Sequence, residues 1–175
     1  VDGTIRAAQI LGAKVIPQKI GGVGKGNAFM QGALWAKEQG ADFLITFDAD
    51  LVTDLKPEHI TQMLQPLLDK PKLSMTILPC TETHGPVPEV YSGQRAIRMR
   101  SLEFLFAKNE QTGAVVLSDS KIATRFREYA GGYSIEAYLN YIFFHRMEVI
   151  PVSSKLKFAS SSDKHGWMCE NGDPL

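Results

Sequence analysis

A chain of 175 residues is long enough for one domain with a hydrophobic core. Its 19 basic residues balance 19 acidic ones, which argues against a broad field favouring nucleic acid or an anionic membrane. Cys80 and Cys169 stand far apart in no C-x-x-C spacing, so a reduced, cytosolic setting without a disulfide framework is expected, and no run of about 18 apolar residues could span a bilayer.

In chain order, "TIRAAQIL" (4–11) predicts a helix stopped by Gly12, and "AKVI" (13–16) a short strand. "KGNAFMQGALWAKEQG" (25–40) carries apolar residues at helical spacing and stops at Gly40. "DFLITF" (42–47) is a nearly continuous apolar run, as expected of a strand buried on both faces of a parallel sheet. "KPEHITQMLQPLLDK" (56–70) predicts a helix with proline in its first turn, bent or broken near Pro66. "LSMTIL" (73–78) reads as a strand, and the proline-rich stretch 79–92 as a loop. "YSIEAYLNYIFFHRM" (133–147) is an amphipathic helix, followed by a closing strand over 148–152. The alternation predicts one α/β domain with a mainly parallel sheet, residues 1–158, and a polar tail, 159–175.

The segment "GGVGKGNAFMQG" (21–32) has the glycine density of a phosphate cradle but departs from G-x-x-x-x-G-K-[ST]. Gly26 stands where the magnesium-binding hydroxyl belongs, and Lys19 where the first glycine belongs. An ATPase loop is therefore excluded. Either a ligand approaches Gly24 and Gly26 closely, with Lys25 offsetting its charge, or the stretch is a turn with a solvated lysine.

"LITFDADLV" is the sharpest chemical feature. Asp48 and Asp50 follow a strand, where ligands bind in open α/β sheets, and carboxylates at i and i+2 project to one side. A divalent cation, Mg2+ or Mn2+, relieves their repulsion and fills its other positions with phosphate oxygens and water. The alternative is a helix cap, although "LVTDLKP" offers Thr53 and Asp54 nearer the next helix.

The stretch "GKGNAFMQGALWAKEQGADFLITFDADL" closely resembles the core of family 2 glycosyltransferases, which have the GT-A fold, a Rossmann-like, mostly parallel sheet flanked by helices. "DGTIRAAQILGAKVI" resembles the helix and strand before that core, and "SGQRAIRM" (92–99) and "GGYSIEAYLNY" (131–141) resemble two later blocks. The branches most similar are polyprenyl-phosphate glycosyltransferases and enzymes like glucosyl-3-phosphoglycerate synthase. The family has a strand and a base-binding aspartate before the point where "VDGT" opens, so the resemblance implies a piece of a longer protein lacking the usual first strand.

The resemblance implies a nucleotide-diphosphate sugar donor, a UDP- or GDP-sugar, with Asp48 and Asp50 holding the metal against its diphosphate. Asp50 and Glu136 become the candidate catalytic residues. Gly24, Lys25, Gly26, Asp48, Ser92, Gly93 and Arg95 become candidate substrate-binding residues. Ser92 and Gly93 form the turn that presents Arg95, which pairs either with a phosphate or with a structural carboxylate. Arg98 and Arg100 read as surface charges. Glu136 either contacts the acceptor or complements a helix dipole. His165 is either a third metal ligand or a solvated tail residue. The implied acceptor is a phosphorylated metabolite or a polyprenyl phosphate, and a homodimer is the assembly the resemblance allows. Val52 stands where dolichyl-phosphate mannose synthases carry glutamine, which weakens the lipid acceptor. Two other readings stay open: a sugar nucleotidyltransferase of related fold, and a truncated GT-A domain acting as a non-catalytic binding partner.

Overall fold

The structure, a computed structural model, describes residues 3–18, 24–48, 55–81, 92–130, 134–150 and 156–157. Its elements are α1 (Thr4–Ile10), α2 (Lys25–Glu38), β1 (Phe43–Thr46), α3 (Pro57–Asp69), β2 (Met75–Ile77), β3 (Cys80–Thr81), β4 (Arg95–Arg98), a 3-10 segment (Met99–Leu105), β5 (Phe106–Lys108), β6 (Val115–Leu117), α4 (Lys121–Ala130), α5 (Ile135–Phe143), a 3-10 turn (Phe144–Arg146), β7 (Met147–Val149) and β8 (Leu156–Lys157). They gather into two compact units, Val1–Gly40 with Phe104–Ile135, and Ala41–Glu103 with Glu136–Leu175. No helix among the described residues is long and apolar enough to cross a membrane.

The first unit is built on α2 and α4. Met30 and Ala33 of α2 and Ala123 and Phe126 of α4 are buried. The Phe126 ring lies 6.4 Å from Phe29 and meets Phe104 edge-on at 5.7 Å, the offset geometry aromatic quadrupoles favour. Glycines at φ 79 (Gly12) and φ 71 (Gly40) follow α1 and α2 as expected. The strand expected over 13–16 is not formed. The N–H of Gly12 donates to Gln9 O (3.0 Å) and that of Ala13 to Ala8 O (2.9 Å), so the chain leaves α1 through a helix-closing turn. Among the described residues, 13–16 then join no ladder.

The second unit holds a four-stranded sheet in the order β1-β4-β2-β7. The expected α/β class holds, but the strand directions differ from a mostly parallel sheet. β4 pairs antiparallel with both β1 and β2, and only β2–β7 is parallel. The cause is β4 itself: the segment "RAIR" inserts between β1 and β2, so Arg95 faces both Thr46 and Ile77 across the ladders. β1 is half-buried along its length rather than sealed on both faces. It lies at the edge of this sheet among the described residues. Two residues of the expected 79–92 loop, Cys80 and Thr81, pair in parallel with Leu156 and Lys157.

Alternation of side chains divides this sheet into two faces. Phe43, Ile45 and Phe47 pack with Ala96, Leu78 and Ile150 against Met63 and Leu67 of α3. Thr76 donates from Oγ1 to Met63 O at 2.7 Å, tying β2 to that helix. Contrary to the expected break, α3 runs through Pro66 to Asp69, because Pro66 forfeits only one N–H and Lys70 N still closes the last turn on Pro66 O at 2.9 Å. His59 Nδ1 accepts from Lys56 N at 3.1 Å and caps the other end. Arg98 is not a free surface charge. Its Nε donates to Leu73 O at 3.2 Å and its Nη2 to Leu67 O, and the guanidinium lies 5.2 Å from the Phe43 ring centroid. It thereby satisfies carbonyls around the C-terminus of α3, where a cation is also favoured by the dipole.

Candidate functional site

On the opposite face, Ser92-Gly93-Gln94 leads into β4 and is stitched to the strands beside it. The buried Ser92 Oγ donates to Leu78 O (2.6 Å) and accepts from Gln94 N (3.3 Å), while Leu78 N donates to Gln94 O at 2.9 Å. Thr46 Oγ1 donates to Gly93 O at 2.8 Å. Short hydroxyls here replace the ladder bonds that a turn must give up.

Asp48 follows β1 by two residues and rests on this turn. Its N–H donates to Gln94 Oε1 (2.7 Å), and Gln94 Nε2 donates to its Oδ2 (3.1 Å). A Cβ added to Gly93 would lie 2.2 Å from Oδ2, 2.5 Å from Oδ1 and 2.6 Å from Cγ of Asp48. The glycine is needed for that close approach, since the carboxylate occupies the volume a side chain would fill. Gly93→Ala is therefore expected to destabilise the chain by about 1–3 kcal/mol through overpacking, whereas Gly32→Ala is expected to stabilise it by about 0.5–1 kcal/mol. Gly32 lies inside α2 with nothing within 4 Å of an added Cβ. Urea unfolding of the two variants checks both signs.

Arg95 sits beside Asp48 on the same face and is 2% exposed. Its Nη1 donates to Asn140 Oδ1 at 2.7 Å and lies 3.4 Å from Met75 Sδ. Burial lowers its pKa to about 10, against the opposing pull of Glu136 and then Asp48. Arg95 is thus still cationic at neutral pH, within electrostatic reach of two carboxylates. Glu136, in the first turn of α5, is itself only 8% exposed. A charge removed from water on a strand needs this kind of company, because unpaired burial costs far more than a single neutral hydrogen bond returns.

The second unit thus brings together Asp48, Ser92, Gly93, Arg95 and Glu136. Gly24, Lys25 and Gly26 belong to the first unit, where they open α2. Gly24 has φ 146, a conformation that disfavours any side chain. The first amides of a 14-residue helix follow it, an arrangement that suits an anion. Asp50 and His165 lie outside the described residues. Among the described residues, no group of three or more His, Cys, Asp or Glu side chains could hold a metal. Sequence reasoning passed over Gln94 and Asn140. Only Asn140 left a signal, as a polar residue four after Glu136 on a mostly apolar helix.

No protein-family model and no curated protein significantly matches this sequence. Solved structures do match in fold. Glucosyl-3-phosphoglycerate synthase from Mycobacterium tuberculosis in complex with phosphoglyceric acid superimposes with a TM-score of 0.59 at 18% identity, over 97% of this chain and 62% of that one. The chain has the GT-A fold. The same synthase with Mn2+, uridine-diphosphate-glucose and phosphoglyceric acid gives 0.58 at 18% identity, over 97% of this chain and 61% of that chain. A further mycobacterial protein gives 0.58 at 15% identity, over 100% of this chain and 63% of that chain. This GT-A chain therefore spans somewhat less than two thirds of the length of these relatives in fold. Its likeness to them is one of fold.

Proposed function

We propose that the protein is a metal-dependent glycosyltransferase, moving a sugar from a nucleotide-diphosphate sugar to a phosphorylated small-molecule acceptor. The observation that carries this reading is the Asp48 carboxylate, pinned by Gln94 just past β1 of a GT-A fold. The likeness to a synthase solved with Mn2+, uridine-diphosphate-glucose and phosphoglyceric acid supports the donor class, the metal and the acceptor class. Its complex with glycerol 3-phosphate supports a phosphorylated acceptor again.

The residues present fit a hard divalent cation: a carboxylate oxygen is the right donor, and the glycine beneath it leaves the carboxylate room. In this reading Asp48 and Asp50 hold the metal, with His165 as a third ligand. A cation held there would supply positive charge to offset that of a departing nucleoside diphosphate. Gly24 and Gly26 admit the donor close to the backbone at the start of α2, and Lys25 offsets its charge. Arg95 fixes the Asp48 side of the site and Glu136, which orients the acceptor. The setting is cytosolic.

The test is release of UDP from UDP-glucose, or of GDP from GDP-mannose, by the purified chain with Mn2+ and 3-phosphoglycerate. Nucleotide release that requires both metal and acceptor supports the reading. Donor and metal binding without any transfer would favour a GT-A domain that acts as a binding partner.

A further inference from the structure

We infer that Gln94 is a positioning residue for the Asp48 carboxylate, and that its side-chain amide sets the affinity of the site for a divalent cation. The inference rests on the reading of Asp48 as a metal ligand.

The hydrogen-bond chemistry leaves little choice of side chain. The Asp48 backbone N–H can only donate, so the amide oxygen must face it, at 2.7 Å. The amide nitrogen is then turned toward Asp48 Oδ2, at 3.1 Å, where it can only donate. One planar group thus grips the backbone and the side chain of the same residue. That couples the carboxylate's direction to the main chain at the end of β1. Glutamate could serve the N–H but would face the carboxylate with a second acceptor. Lysine could serve the carboxylate but not the N–H.

Charge matters as well as reach. Gln94 itself adds no charge to the site: its neutral amide holds Oδ2, and the cation whose charge acts on Asp48 is Arg95, which Glu136 draws more strongly. Gln94 is 0% exposed, so its amide is held out of solvent, while Asp48 on the other side of both bonds is half-buried. Its own backbone is fixed by Leu78 N on Gln94 O and by Ser92 Oγ on Gln94 N. The grip is therefore rigid at its base. Groups that orient a metal ligand in this way typically change metal affinity about 10–100-fold when removed.

The test is isothermal titration of the full chain with Mn2+ alone, alongside thermal unfolding. Gln94→Met keeps the length of the side chain and removes both bonds. It is expected to raise the Mn2+ dissociation constant about 10–100-fold. Thr46→Val removes the bond from Oγ1 to Gly93 O, which supports the same turn without touching the carboxylate. It is expected to lower the melting temperature while leaving Mn2+ affinity unchanged. Equal affinity for Gln94→Met and wild type, with only the melting temperature lowered, would overturn the inference and leave a structural glutamine. An equal loss of affinity in Thr46→Val would overturn it too, since general loosening would then explain both. If Gln94→Met does not fold, Gln94→Asn keeps the amide one methylene short of its reach, and an unchanged Mn2+ affinity there overturns the inference. A wild-type chain that binds no Mn2+ removes the metal reading itself and this inference with it. Tight wild-type binding that the Gln94 variants retain removes this inference alone.

Discussion

Asp50→Asn is expected to abolish Mn2+-dependent binding of a nucleotide sugar while leaving the melting temperature of the free chain almost unchanged. In the proposed reading Asp48 and Asp50 would together hold the cation, and Mg2+ or Mn2+ draws only one or two carboxylates from a protein. An amide of the same shape cannot supply the missing charge. The loss should exceed the about 10–100-fold seen when only an orienting group is removed. Titration with UDP-glucose in the presence and absence of Mn2+ measures it. Undiminished, metal-dependent binding by the variant would show that Asp50 is not a ligand.

Arg95→Met is expected to destabilise the second unit strongly, by about 3–5 kcal/mol, because it removes a buried cation that acts on the nearly buried Glu136 carboxylate. It takes the cation away from Glu136, which is 8% exposed, and the donor away from Asn140 Oδ1. Methionine roughly fills the volume, so the effect reports charge rather than a cavity. Replacing both partners, Arg95→Met with Glu136→Gln, is expected to recover part of the loss, a coupling of about 0.5–3 kcal/mol. Urea unfolding of the two single variants and the double variant gives this directly. Additive losses would mean that Arg95 and Glu136 do not depend on each other.

The parts of the fold legible in the sequence were those with local causes. Apolar spacing and a following glycine marked α1 and α2, and the run "FLIT" marked β1. What stayed hidden depends on partners distant in sequence. β4 was not readable as a strand, because "RAIR" puts a buried cation where a strand normally shows an apolar residue. That arginine is accommodated by Asn140 and by the charges of Glu136 and Asp48, all distant in sequence. The β3–β8 pair joins residues some 76 positions apart, which no window of local pattern reveals. "AKVI" had strand composition, yet its first N–H closes a helix instead.

The site divides in the same way. Asp48 stood out because a carboxylate directly after a nearly continuous apolar run needs an explanation. Gln94 did not, although it lies inside "SGQRAIRM". A neutral amide carries no charge pattern, and its value appears only when the chain brings it 46 residues back to Asp48. Gly93 looked like a turn glycine, and its φ is not positive. It is required because the Asp48 carboxylate lies where its Cβ would be.

The most direct test of a metal-dependent sugar-nucleotide site is a thermal-shift titration of the chain with UDP-glucose and with GDP-mannose, each with and without Mn2+. Stabilisation that needs both nucleotide sugar and metal is the predicted result. It should reach about 2.7 kcal/mol when the ligand is at 100 times its dissociation constant, and the active nucleotide identifies the base. A folded chain whose melting temperature does not move with any combination would contradict the account.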